Sequence, residues 1–537
     1  MQGTQSFTPN SEFLWGVATS GYQSEGGYNQ PGQPQNNWAQ AEHHGSVMVT
    51  GAASDFWHRY AEDFQTCQDM GLNAFRIGLE WARIQPTTLA RRGLPPEFDK
   101  DALDAYSDRL ASCMQHGLEP VITLHHFTHP AWLGADAWLS IDTVQHFVEY
   151  VRVTVAHINH RLIHHYHLNP IRWFITLNEP NMLVTSSYLS RQFPAKEMGS
   201  FGLMQQAYCH LLLAHVHAYN CIHDLYEQAG WERPQVSLNT YCSDLYWSEK
   251  VLWDVLSVAE RDIKPASVKA YVHSKARQLE AALKAARFPF RRDLPYQLGR
   301  LAHTVSNFVG YRLFEMEEFR PLLQALYSSP RTRVFDFVGL DYYDPFVAHV
   351  FRLPRFTDFE FKSKDIRTWL MTGITSKWWD WRSLPEGLHF FCQYYSQDLG
   401  DRPVLIAENG MALRRKPDNS IATHRLDQLR RSEFLELHVE QVQRLRQDGV
   451  PLLGYLHWSL TDNYEWGSYT PRFGLFSIDY AHGTERLAET YGGDRPSETY
   501  ARLVKEARGQ DANVAIAPSP AHSSDIPDTS QQDINLA

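Results

Sequence analysis

Short runs of apolar and β-branched residues recur along the chain, separated by longer stretches of helical periodicity. The runs occupy 13–19, 74–80, 120–126, 172–178, 235–240, 335–342, 403–408 and 452–459. Between them apolar positions fall at helical intervals: Leu103, Tyr106, Leu110 and Met114 lie at i, i+3, i+7 and i+11, and His116-Gly117 marks a stop. Strands alternating with helices predict a parallel α/β fold, and eight strands close a (β/α)8 TIM barrel. One stretch breaks the rhythm. Residues 241–333, between the fifth and sixth runs, are far more than a crossover helix needs and carry helical patterns of their own, so they read as an insertion. Residues 509–537 are rich in Pro, Ser and Asp, contain no aromatic residue and are expected to form a disordered tail. The expected organisation is one barrel domain over 1–508 followed by that tail.

Two of the runs end in a carboxyl group: Thr176-Leu177-Asn178-Glu179-Pro180 and Ile406-Ala407-Glu408-Asn409-Gly410. The end of a buried parallel strand is where an α/β barrel keeps its chemistry. One Glu there is ordinarily structural. Two facing each other across a barrel mouth are the minimum apparatus for breaking a glycosidic bond.

Composition narrows the partners. The chain of 537 residues carries a formal net charge of −11, which opposes binding to a phosphate backbone, so nucleic acid is excluded. Aromatic residues make up 13%, suited to covering the C–H faces of sugar rings. The six cysteines show no CxxC spacing, and neither a zinc site nor a disulfide framework is expected. His125, His126 and His129 cluster, but adjacent strand residues point to opposite faces and no acidic or Cys ligand accompanies them. No metal and no cofactor is expected. The N-terminus lacks a basic region followed by an apolar stretch, and no run is long enough to span a bilayer; a cytoplasmic protein is expected.

Several separated motifs resemble glycoside hydrolase family 1, the retaining β-glycosidases of the β-glucosidase type. They are Phe13-Leu14-Trp15-Gly16-Val17-Ala18-Thr19-Ser20 with Gln23 and Glu25-Gly26; Phe75-Arg76-Ile77 with Glu80-Trp81-Ala82-Arg83-Ile84; the two Glu motifs; and Trp458-Ser459-Leu460-Thr461-Asp462-Asn463-Tyr464-Glu465-Trp466 with Arg472-Phe473-Gly474 and Asp479-Tyr480. The resemblance runs from about Phe13 to Tyr500, in the family's order. It implies a TIM barrel in which Glu179 is the acid/base and Glu408 the nucleophile of a double displacement. Arg76 resembles the arginine beside the nucleophile, and Tyr343 the tyrosine that hydrogen-bonds it. Gln23, His126, Asn178, Trp458, Glu465 and Trp466 match the sugar-binding set: Asn178 for the 2-hydroxyl, Glu465 for the 4- and 6-hydroxyls, Trp458 as an aromatic platform. A carboxylate at 465 would repel a 6-phosphoglycoside.

The resemblance implies hydrolysis of terminal β-D-glucosides, with β-galactosides and β-fucosides as further substrates. A transglycosylase on the same site, and a non-catalytic sugar-binding protein, stay open as alternatives. The chain departs from the family pattern at Asp341, where Asn is usual, at Phe127, at Ala407, and in the loop 190–196. These departures bear on local charge and on the aglycone side. Within the insertion, 264–300 holds nine Lys or Arg against Glu280 and Asp293, and 251–256 is apolar around Trp253. Together with Leu279, Leu283, Phe288 and Phe290, this predicts weak contact of 251–300 with an anionic membrane surface, delivering a lipid-linked glycoside. The competing reading is a solvated basic face paired with acidic neighbours.

Overall fold

Strands of a parallel sheet are ordinarily covered on both faces. In the computed structural model, which describes residues 12–89, 94–289, 292–313, 316–343, 382–416, 420–425 and 427–516, they form the wall of a barrel. The strands are β1 (Leu14–Ala18), β2 (Ala74–Gly78), β3 (Glu119–Thr123), β4 (Trp173–Asn178), β5 (Gln235–Tyr241), β6 (Val338–Tyr342), β7 (Val404–Asn409) and β8 (Leu452–Trp458). Each pairs in parallel with the next, and β8 closes on β1. Every expected strand is present. The third ends at Thr123, short of its run, but contact with β4 goes on beyond it: Leu124 N–H donates to the Ile175 carbonyl at 2.9 Å, and Asn178 N–H to that of His125 at 2.8 Å. Close strand approach explains Gly16, where a Cβ would stand 2.3 Å from the Ala74 carbonyl oxygen.

Long helices, among them Asp142–His164 and Phe201–Ala229, enclose the barrel. A three-stranded antiparallel sheet of Leu413–Arg415, Ile421–Thr423 and Pro471–Arg472 joins the loops that follow β7 and β8. No helix among the described residues is long and apolar enough to cross a membrane.

Among the described residues the excursion after β5 contains four α-helices, Lys250–Leu256, Val268–Ala285, Leu294–Leu313 and Arg320–Ser328. Its apolar residues do not lie where surface contact requires them. The whole of Lys250–Leu256 is buried; Trp253 packs on Phe335 at 5.0 Å and donates its indole N–H to Thr240 Oγ1 at 3.2 Å. Leu279, Leu283 and Phe288 are also core. Phe290 and Arg291 lie outside the described residues. Part of the basic charge is spent internally: Lys275 reaches Asp398 at 2.6 Å, and Arg300 reaches Asp244 at 2.6 Å and Glu280 at 3.0 Å. The apolar residues of 251–288, expected to contribute to surface contact through 251–300, are thus buried and anchor the excursion to the barrel.

The expected tail boundary also shifts. The final helix, Pro496–Ile516, runs through Gly509, anchored by buried Tyr500, Val504 and Ala507. Residues 517–537 lie outside the described residues.

Candidate active site

The C-terminal ends of the strands deliver polar side chains into one buried network. Arg76, on β2, is fully buried, and its guanidinium donates in four directions: Nε to Thr123 Oγ1 at 2.8 Å, Nη1 to the Ala407 carbonyl at 3.1 Å and to Glu408 Oε1 at 2.8 Å, and Nη2 to Asn178 Oδ1 at 2.5 Å. A planar fork suits this task, since it can meet β3, β4 and β7 at once. Tyr343 donates its hydroxyl to the other oxygen of Glu408, Oε2, at 2.6 Å. Burial, then the charges of Glu408, Glu179 and Asp341, push the Tyr343 phenol well above its ordinary value and keep it a donor. Its ring is held between Tyr241, stacked at 6.2 Å, and the edge-on ring of Phe473 at 5.7 Å.

Glu408 remains within β7, in register with Asp341 of β6. Glu179 lies one residue beyond β4 with left-handed backbone, φ 37° and ψ 58°, and heads the short helix Pro180–Val184. Such a conformation is costly for a residue with a Cβ and is retained where the surroundings dictate it. Here Glu179 N–H donates to the Asn239 carbonyl at 3.0 Å, which ties the turn to β5. Glu179, Asp341 and Glu408 are all buried, and one carboxylate oxygen from each lies within 4.8 Å of the others. Oxygens this close have the spacing of a cation site. The positive charge beside them belongs to Arg76, 2.8 Å from Glu408 and 3.9 Å from Asp341.

The remaining expected residues surround this centre. Asn178 Nδ2 lies 3.2 Å from His126 Nε2. The His126 ring lies nearly parallel to those of Trp458, at 5.7 Å and 16°, and Trp466, at 5.8 Å and 12°. Gln23 donates to Glu465 Oε2 at 3.0 Å. The ten residues Gln23, Arg76, His126, Asn178, Glu179, Tyr343, Glu408, Trp458, Glu465 and Trp466 thus gather at one end of the barrel. His125 and His129 face elsewhere; burial pushes them down to about 3 and about 4 respectively, so both are neutral core imidazoles.

Asn239 is a site residue that the sequence reading lacks. It donates to Asn178 Oδ1 at 2.8 Å and also to Asp341 Oδ2, bridging β4 and β6. Its signal was an amide on a strand that alternates polar Gln235, Ser237 and Asn239 with apolar Val236 and Leu238. Asp341, noted only as a departure, stands fully buried beside Arg76 and Glu408.

The sequence model of glycosyl hydrolase family 1 matches residues 5–492. The chain is 27% identical over 495 residues to 6-phospho-beta-galactosidase 1 of Streptococcus pneumoniae, with 87% of this chain and 93% of that protein covered. It is likewise 27% identical over 499 residues to Beta-glucosidase 42 of Arabidopsis thaliana, covering 89% and 91%. A solved β-glucosidase of Thermotoga maritima in complex with castanospermine superposes with a TM-score of 0.63 at 21% identity, covering 93% of this chain and 98% of that one, a likeness of fold. With the family's sequence pattern spanning nearly the whole barrel, the chain belongs to glycosyl hydrolase family 1 and is by that membership an O-glycosyl hydrolase.

Proposed function

We propose that the protein is a retaining β-glycosidase that hydrolyses terminal β-D-glucosides, with β-galactosides and β-fucosides as further substrates. The observation that carries this is the unequal treatment of two close carboxylates. Glu408 is gripped by Arg76 and Tyr343 through both oxygens, at 2.8 Å and 2.6 Å, which suits an ionised nucleophile held in one orientation. Glu179 stands beside it, and the charge on Glu408 favours the protonated form of Glu179 that an acid requires. Carboxylate oxygens within 4.8 Å accord with retention, since inversion needs room for a water, about 6.5–9.5 Å between carboxyl groups.

In the first step a Glu408 oxygen bonds to the anomeric carbon while Glu179 gives its proton to the departing aglycone oxygen. Forming the ester cancels the negative charge on Glu408. Glu179, now a carboxylate, takes a proton from water as that water displaces Glu408 and restores the β-configuration. Asn178, fixed through its Oδ1 by Arg76 and Asn239, is placed to hold the 2-hydroxyl, where contacts strengthen at the oxocarbenium-like transition state. Glu465, oriented by Gln23, supports unphosphorylated sugars, because a second anion beside its carboxylate is repelled. Six free thiols fit a reducing compartment such as the cytoplasm.

The test is azide rescue. Glu408→Gly should abolish turnover of aryl β-glucosides and yield the α-glycosyl azide; Glu179→Ala should spare activated substrates and yield the β-azide. The reverse pattern would exchange the two roles, and no product from any β-glycoside with the intact enzyme would remove the reading.

A further inference from the structure

Helix Leu294–Leu313 in the excursion after β5 is inside out. Its inward face is polar and tied down. Arg300 donates to Asp244 at 2.6 Å and to Glu280 at 3.0 Å, Thr304 donates to Glu280 at 2.9 Å, and His303 lies 2.7 Å from Asp244. Asn307 accepts the Tyr246 N–H at 2.9 Å, and Ser306 accepts the Trp247 indole N–H at 3.2 Å. Gly310 completes this face, since a Cβ there would meet Trp247 at 2.3 Å. The outward face carries Leu294, Leu298, Leu301, Val305, Phe308 and Val309, each 46–66% exposed. Their spacing is that of one helical stripe. A surface helix ordinarily presents the opposite arrangement, and an exposed apolar stripe of this kind marks an interaction site.

The charge around the stripe selects the occupant. From 284 to 312 the sequence has six Lys or Arg and one acid, Asp293, in a chain of net charge −11. Lys284, Arg287, Arg292 and Arg312 are exposed, and the Arg312 guanidinium lies over Phe308 at 4.2 Å. A two-fold pairing of copies through this face would set those cations against themselves. An anionic bilayer complements both features, taking the apolar stripe into the acyl boundary and the guanidinium groups among the headgroups. We infer that Leu294–Leu313 is a docking helix for an anionic lipid surface.

Its position gives the contact a use. Asp244, which anchors the helix, follows shortly after Tyr241 at the end of β5, and Tyr241 stacks on Tyr343, the donor to Glu408. Docking therefore places the barrel mouth near the bilayer, where a β-glycoside with a lipid aglycone would be met. This last step rests on the glycosidase reading above; the docking itself does not.

The test uses the full chain with vesicles of equal parts phosphatidylserine and phosphatidylcholine, and of phosphatidylcholine alone. The intact protein should co-sediment with the anionic vesicles. Leu298→Ser/Leu301→Ser/Phe308→Ser should lower the partition coefficient at least about tenfold, and Arg287→Glu/Arg292→Glu/Arg312→Glu should do so at low salt. Both variants should hydrolyse a soluble aryl β-glucoside at the rate of the intact protein. Turnover of a lipid-linked β-glucoside in vesicles should fall with binding in the first variant. Absence of co-sedimentation, equal partition of the variants, or a dimer in solution that the Ser variant splits to monomer would each overturn the inference. Vesicle binding without hydrolysis of any glucoside would leave docking standing and remove the proposed function instead.

Discussion

Tyr343→Phe isolates one hydrogen bond. The hydroxyl donates to Glu408 Oε2 at 2.6 Å, while the ring is held by Tyr241 and Phe473, contacts that phenylalanine keeps. Only the donor is lost. A hydrogen bond to a charged partner contributes about 1.5–3 kcal/mol, and each 1.36 kcal/mol is tenfold in rate. If the bond orients the attacking carboxylate, kcat/KM should drop about 10- to 150-fold. The carboxylate keeps Arg76 at 2.8 Å, so the variant should stay folded, with a melting temperature within a few degrees of the parent. The assay is kcat/KM on an aryl β-glucoside together with a thermal melt. A loss under about threefold would show that Arg76 alone suffices to orient Glu408. A loss matched by reduced folded protein would show that the hydroxyl serves stability.

Other outcomes follow from the same geometry. Asp341→Asn removes a third negative charge from beside the pair while keeping a partner for Asn239, and should move the alkaline limb of the kcat/KM profile to lower pH; an unmoved limb would take Asp341 out of the site's electrostatics. Activity should survive exhaustive EDTA treatment, because Arg76 supplies the positive charge among the carboxylates; a loss restored by one metal would refute this. In stability, His125, His438 and His457 are pushed down to about 3 and His129 and His215 to about 4, whereas Glu80 and Glu249 are pushed up to about 7, burial being the leading cause in every case. Between about pH 4.5 and 6.5 the unfolded chain binds protons at the histidines that the native state refuses, and the native state keeps protons on two glutamic acids that the unfolded chain releases. The histidines outnumber the acids, so the melting temperature should climb across that window and flatten above about pH 7; calorimetry at stepped pH showing a steady fall would refute it. Gly410→Ala would set a Cβ 2.0 Å from the Trp458 carbonyl oxygen, so it should displace the aromatic platform and cost both melting temperature and kcat/KM; unchanged kinetics would refute the role of this close approach.

The eight strands, and Glu179 and Glu408 at two of their ends, could be read from sequence because their determinants are local, whereas the other eight clustered residues were indicated only by the family resemblance. An apolar run of strand length ends, and the polar residue that follows must lie at the barrel mouth whatever the rest of the chain does. Asn239 escaped because an amide inside a strand has the same local signature whether it bridges two functional groups or satisfies a backbone. The surface of the excursion escaped for a different reason. The apolar run 251–256 and the apolar positions spaced along 294–309 both read as surfaces to be buried, and only the tertiary structure decides which faces the barrel. Around Trp253 the partners are Phe335 and Thr240, so burial wins. On Leu294–Leu313 the inward positions are already taken by Arg300, His303 and Asn307 with Asp244, Glu280 and Tyr246, and the leucines are left outside.

The two glutamate motifs make the same point at the centre of the site. As sequence they are nearly symmetric, each a strand followed by an acid. The barrel makes them unequal by where the strand stops. Glu408 is still within β7, so its side chain points where the ladder dictates, inward, onto a guanidinium from β2 and a phenol that follows β6. Glu179 is one residue past β4, and its backbone has already turned into the left-handed region to start a helix, which sets the carboxylate beside that of Glu408. In the proposed mechanism the group fixed by two donors is the one that attacks, and the group set beside it on a turn is the one that exchanges a proton. Moving the acid by one position, as in Asn178→Glu/Glu179→Asn, should therefore abolish turnover even of substrates with activated leaving groups, because Asn178 Oδ1 receives Arg76 and a carboxylate there would take that cation from Glu408. Retention of aryl β-glucoside hydrolysis in that double variant would refute the dependence of the two roles on the point where β4 ends.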